Sequence, residues 1–198
     1  MKTPLLLLIF RGKYDTIFLR KKQEKKKEAG REQRKMFGKE EVKVFLKEKG
    51  IPFRWVEHKA VYTIEEMEEL GLEKMEETAK NLFLRDQKGK CHFLVVIRAD
   101  KQVNLKELGE KLGGVRLSFA SEERLEKYLG LKKGAVTPLG ILNDTACAVK
   151  VFLDKDFLGK EEIGVHPNDN TASVYLKTAD LMQMIKEHGN SLEVLSFA

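Results

Sequence analysis

A chain of 198 residues, 42% hydrophobic and 34% charged, has room for one well-buried domain and a tail, with the composition of a soluble globular protein. Two cysteines, Cys91 and Cys147, exclude a disulfide framework, are too few for a four-ligand zinc site, and point to a reducing, cytoplasmic setting. The net charge of +6 suggests a nucleic-acid binder, but residues 1–35 carry twelve Lys/Arg against four Asp/Glu, whereas residues 36–198 carry 25 against 27. Any RNA contact by the larger part therefore relies on a local patch and not on a global field.

Within residues 1–35, the apolar run 4–10 is too short to span a bilayer and lacks a small-x-small cleavage site after it. Residues 20–35 are nearly all Lys, Glu, Arg, Gln, Ala and Gly, a composition that suits a solvated arm or a basic arm on tRNA phosphate. The same residue types are encoded by purine-rich codons, as in a translated ribosome-binding leader. Residues 1–35 are thus expected to be a disordered extension or the product of a mis-assigned start, with Met36 as the true one. Intact mass of the natural protein tests this; a mass that includes residues 1–35 refutes it.

From Met36 the elements follow in order. Residues 38–50 read as a helix with Val42, Val44, Phe45 and Leu46 as apolar positions, closed by Gly50 and Pro52. Residues 53–57 read as a short strand, and Thr63-Ile-Glu-Glu66 opens an acidic helix. Two strands, 79–86 and 91–98, flank a turn with Gly89 at a positive-φ position, and the almost wholly apolar second strand is expected at the sheet centre. A helix capped by Asn104 follows, then a strand over 115–119, a helix capped by Ser121, and strands over 147–153, 161–165 and 171–176. Thr178 is expected to cap a closing helix, and 192–195 to add an edge strand. Hairpins mixed with helices predict an α+β class, with a mostly antiparallel or mixed sheet.

No phosphate loop, nucleophile elbow or zinc-helix motif is present, and His58, His92, His166 and His188 are scattered. Cys91 and Cys147 read as packing residues in apolar strands. Three segments stand out. Lys80-Asn81 enters an apolar strand, where a lysine either faces solvent at the strand's start or lines a pocket. Residues 134–138, Gly-Ala-Val-Thr-Pro, form a stiff loop that is either a connector or a donor of backbone N–H groups to an oxyanion. His166, between Gly164-Val165 and Pro167, sits in a polar loop suited to substrate contact.

Taken together and in order, Ala79-Lys-Asn-Leu-Phe-Leu-Arg-Asp86, Gly134-Ala-Val-Thr-Pro-Leu-Gly140, Gly164-Val-His-Pro-Asn-Asp-Asn-Thr-Ala-Ser173 and Thr178-Ala-Asp-Leu181 resemble one family, the YbaK/prolyl-tRNA synthetase-associated (ProX-type) free-standing editing domains. The likeness spans residues 37–198, and its wording is most similar to the alanine-specific branch. It implies a single α+β domain over 36–198, with a mixed, curved, mostly antiparallel sheet surrounded by helices. It also implies hydrolysis of the aminoacyl ester of mischarged tRNA(Pro), most of all alanyl-tRNA(Pro), without metal or cofactor.

Carried over residue by residue, Lys80, Asn81 and His166 would be catalytic. Gly134, Ala135, Val136, Thr137, Pro138, Gly164 and Asn170 would bind substrate, and Arg116 would touch the acceptor stem. The partner implied is the acceptor end of mischarged tRNA, with transient contact to prolyl-tRNA synthetase or an elongation factor, and no membrane. Two alternatives stay open: a cysteinyl-tRNA(Pro) deacylase, and a non-catalytic module that binds tRNA or a synthetase. The net charge of −2 over residues 36–198 counts against tight autonomous RNA binding.

Overall fold

The computed structural model describes residues 36–60 and 77–197. The extension over 1–35 and the acidic helix expected from Thr63 lie outside the described residues.

Helix α1 (Lys39–Glu48) starts where the Glu41 carboxylate accepts the Gly38 N–H at 3.2 Å, and it buries Val42 and Leu46. Strand β1 (Phe53–Glu57) follows it. Strands β2 (Ala79–Asp86) and β3 (His92–Arg98) form the expected hairpin, with Gly89 at φ +64° in its turn, a conformation that side chains with a Cβ resist. Helix α2 (Leu105–Lys111), strand β4 (Leu117–Phe119) and helix α3 (Glu122–Leu129) come next. Asn104 caps α2 by accepting from the N–H of Lys106, and Ser121 caps α3 by accepting from that of Arg124. A 3₁₀ turn over Pro138–Asn143 leads to β5 (Val149–Asp154), and a second over Lys155–Gly159 leads to β6 (Ile163–Val165) and β7 (Ala172–Leu176). Helix α4 (Thr178–His188) and strand β8 (Leu192–Leu195) complete the described chain.

The strands divide into two sheets: β4-β2-β3-β5-β8, and β1-β7-β6. The pairs β4-β2, β2-β3, β1-β7 and β6-β7 are antiparallel, while β3-β5 and β5-β8 are parallel. The apolar β3 is central, as its sequence requires, with His92 to Ile97 all buried. The expected single sheet is thus two, joined at one point. Gly164 forms an isolated bridge with Thr78, and its N–H donates to the Glu77 carbonyl at 2.7 Å. This places the end of β6, and so His166 just beyond it, beside the start of β2.

One core cluster unites the sheets: Leu94, Val96, Val151 and Leu153 pack with Ile163, Val165, Val174 and Leu176, closed by Val42 and Leu46 of α1 and Leu181 and Ile185 of α4. On the other face of the five-stranded sheet, Leu84, Val95, Ile97 and Phe152 pack against Leu108 of α2 and Phe197. Each such fully buried aliphatic side chain contributes roughly 1.5–3 kcal/mol over its exposed state.

Two local expectations are corrected. Cys91 and Cys147 are exposed and not packing residues; Cys91 precedes β3, and Cys147 lies in a turn at φ 49° before β5. Thr178 does not cap α4. Its hydroxyl donates to the Phe157 carbonyl, and Lys177 occupies the cap position.

Candidate active site

Three residues past the start of β6, the chain leaves the sheet at His166. The ring Nδ1–H donates to the Ala172 carbonyl at 3.1 Å, which fixes the tautomer and leaves Nε2 as the acceptor. Burial pushes the His166 pKa below the ordinary histidine value; the nearby His58 acts the same way, while the Ala172 carbonyl and Asp169 oppose it. A neutral imidazole with a free-facing lone pair suits a proton acceptor near pH 7. The loop that carries it is closed by Asp169, whose carboxylate accepts from the N–H of Thr171 at 2.8 Å. Asn168, at φ 61°, donates from its amide to the Phe37 carbonyl at 2.7 Å. Asn170 stands half-buried in the same loop.

The 134–138 loop is tied to this histidine. Thr137 is fully buried; its hydroxyl donates to the His166 carbonyl at 2.6 Å and accepts the Leu139 N–H at 3.3 Å, capping the 3₁₀ turn that Pro138 begins. Gly134 turns the loop at φ +87°, Ala135 and Pro138 are buried, and Val136 faces a cleft. Gly164 is required by close approach: a Cβ there would stand 2.6 Å from the Tyr175 ring.

The cleft has a volume of about 470 Å³ and lies where β4 parts from β2. Asn81, Leu82, Phe83, Phe119, Leu125 and Val136 line it. The Asn81 Oδ1 is buried and has no hydrogen-bond partner. Strand alternation sets Asn81 with Ala79 and Phe83 toward one core cluster, and Lys80 with Leu82 and Leu84 toward the other. The Lys80 ammonium donates to the carbonyls of Ala99 (3.4 Å) and Lys101, and burial pushes its pKa down, against the pull of Asp100. Lys101 in turn pairs with the buried Asp154 and with Asp156, each at 2.8 Å. Arg116 is exposed one residue before β4, where sequence reasoning had put it inside the strand.

The structure therefore brings together His166, Thr137 and, through Val136, Asn81. Lys80 neighbours Asn81 in the chain but presents its ammonium to the β3–α2 turn.

Sequence reasoning missed His58 and Ser173. His58 Nδ1–H donates to the Lys59 carbonyl at 2.8 Å, and its Nε2 accepts from the Ser173 hydroxyl at 3.0 Å. The His58 and His166 rings are 6.3 Å apart. The pairing of β1 with β7, Glu57 opposite Ala172, creates this proximity, and no local signal in the sequence reports it. A second cleft of about 560 Å³, between α1 and α4, contains none of the expected site residues; the chemistry lies at the first.

The family model described as the aminoacyl-tRNA editing domain matches residues 58–184. The chain is 49% identical over 145 residues to the prolyl-tRNA editing protein ProX of Acetoanaerobium sticklandii, covering 73% of this chain and 88% of that one. It is 38% identical over 146 residues to the prolyl-tRNA synthetase associated domain-containing protein 1 of Mus musculus, covering 72% and 86%. It is 29% identical over 138 residues to the multifunctional Ser/Thr-tRNA deacylase ProXp-y of Escherichia coli K12, covering 69% and 81%. A crystal structure described as a candidate trans-editing enzyme for prolyl-tRNA synthetase shares the fold, with a TM-score of 0.62 at 21% identity over 81% of this chain and 97% of that one. By the family match and by these relatives, the chain belongs to the aminoacyl-tRNA editing domain family, in its ProX type.

Proposed function

We propose that this aminoacyl-tRNA deacylase hydrolyses mischarged tRNA(Pro), with alanyl-tRNA(Pro) as its main substrate. The relative at 49% identity, named a prolyl-tRNA editing protein, supports the tRNA; the Lys-Asn-Leu-Phe-Leu and Gly-Val-His-Pro wording supports alanine. The observation that carries the chemistry is the buried, single-tautomer His166 held by Ala172 and by Thr137.

In this reading water adds to the ester carbonyl carbon, the bond to the terminal ribose oxygen breaks, and free alanine and tRNA(Pro) leave. His166 Nε2 accepts the proton from that water, or orients the ribose hydroxyl, and the proton ends on the ribose oxygen. The ester is labile, so positioning supplies much of the acceleration. Asn81 meets a donor on the substrate with its unpaired Oδ1. Lys80 meets the terminal phosphate or ribose, and Arg116 the acceptor stem. The 134–138 loop bounds the aminoacyl group with Gly164 and Asn170, and admits a small side chain. Such a second sieve is needed because a synthetase pocket built for proline rejects a smaller side chain weakly. Prolyl-tRNA synthetase or an elongation factor delivers the substrate transiently.

Deacylation of alanyl-tRNA(Pro) by the wild type, Lys80→Ala and His166→Ala tests the assignment. Fast loss of alanine that both substitutions depress supports it. Unchanged rates in both would remove these residues from the site.

A further inference from the structure

Phe119 is 60% exposed at the sheet edge, the one aromatic among the exposed large hydrophobic residues of the described chain. It lines the same cleft as Asn81, and the remaining walls come from Leu82, Phe83, Leu125 and Val136. The cleft thus combines a flat aromatic surface, apolar sides and one buried acceptor, Asn81 Oδ1, without a donor. Lys133 stands at the rim, 83% exposed, with Glu122 at 3.8 Å. A pair so exposed is worth little, and its ammonium can turn to a phosphate.

The volume decides between occupants. About 470 Å³ falls in the range of pockets for small organic ligands and is far too roomy to sieve a methyl group from a larger side chain. A size-selective aminoacyl pocket must then lie elsewhere, on the Thr137–His166 side of the 134–138 loop. Val136 faces the cleft while Thr137 is bonded to His166, so the two spaces share the loop as their wall.

We propose that this cleft seats the 3′-terminal adenosine of the tRNA, with Phe119 as the platform on which the adenine stacks; this rests on the deacylase reading above. A nucleoside supplies what the cleft lacks: a π-face for Phe119, an N–H or O–H donor for Asn81 Oδ1, and a 5′-phosphate for Lys133. Base–aromatic stacking gives substantial affinity for single-stranded ends without needing a basic surface overall.

The test uses the full chain and tRNA(Pro) whose terminal adenine is replaced by 2-aminopurine, a base whose fluorescence is quenched on stacking. Wild type and Phe119→Trp are expected to quench it, whereas Phe119→Leu and Phe119→Ala are expected not to. With alanyl-tRNA(Pro), Phe119→Ala should raise KM about ten-fold and leave kcat within about two-fold. Equal quenching by Phe119→Leu, or an unchanged KM, overturns the proposal. So does a shift in alanine-against-cysteine preference with quenching intact, which would make the cleft the aminoacyl pocket. Because the binding arm uses uncharged tRNA, it stands apart from catalysis. Quenching by a wild type that hydrolyses no mischarged tRNA(Pro) would refute the deacylase reading and uphold the cleft; turnover without any Phe119 effect would do the reverse.

Discussion

The hydroxyl of Thr137 reaches the main-chain carbonyl of His166 across 2.6 Å, so the loop and the histidine form one rigid unit although 29 residues separate them. Thr137→Val keeps the shape but leaves the His166 carbonyl without this donor. The expected cost is about 1–3 kcal/mol in urea unfolding, together with a fall in kcat on alanyl-tRNA(Pro). Thr137→Ser should restore most of both.

His166 makes activity depend on pH in a definite direction. Burial holds its pKa below the ordinary value of 6.5, so the imidazole stays neutral there and kcat/KM should be flat from neutrality down past pH 6.5, falling only further into acid. Stability follows the same linkage. Between the native and unfolded pKa values the unfolded chain binds the proton and the native one does not, so stability drops as pH falls through 6.5 and levels off below the native value. His92, also held low by burial and by Arg124, adds to that slope. In His166→Gln only the His166 share should vanish. Denaturant melts from pH 5 to 8 read this difference.

Gly164→Ala places a methyl 2.6 Å from the Tyr175 ring, and the guanidinium of Arg54 lies 3.8 Å over that ring on its face. The ring has little room to yield. A loss of about 1–3 kcal/mol is expected, with loosening of the bond from Gly164 N–H to the Glu77 carbonyl that joins the two sheets. Hydrogen exchange at Gly164 would show that loosening directly.

How far could the chain alone be read? Periodicity located nearly every described element, because apolar stretches such as β3 and caps such as Asn104 are local signals. Strand partners are not local. Nothing near His58 says that β1 pairs with β7, or that Ser173 will meet its ring, and the division into two sheets rests on one bridge at Gly164. Residues of the candidate site were named by a resemblance spread over three segments. That resemblance could not say that Lys80 and Asn81 point to opposite faces, since their adjacency in a strand settles it only once the strand is known. Both cysteines were misread because the strand ends were placed too early, at Cys91 and Cys147, which lie in turns.

Asp154, fully buried at the end of β5, pairs with Lys101, whose carbonyl holds Lys80. Removing one partner of such a pair strands the other. Asp154→Ala is expected to cost about 3–5 kcal/mol in denaturant unfolding, and an effect under about 1 kcal/mol would show that water satisfies Lys101 in its place.

The central claim is tested most directly by single-turnover deacylation of alanyl-tRNA(Pro) beside cysteinyl-tRNA(Pro), seryl- and threonyl-tRNA, and alanyl-tRNA(Ala). Rapid loss of alanine from proline tRNA, with the other four slower, is the expected result. Preference for cysteine, serine or threonine would contradict the alanine assignment, and no turnover of any of the five would contradict the deacylase itself.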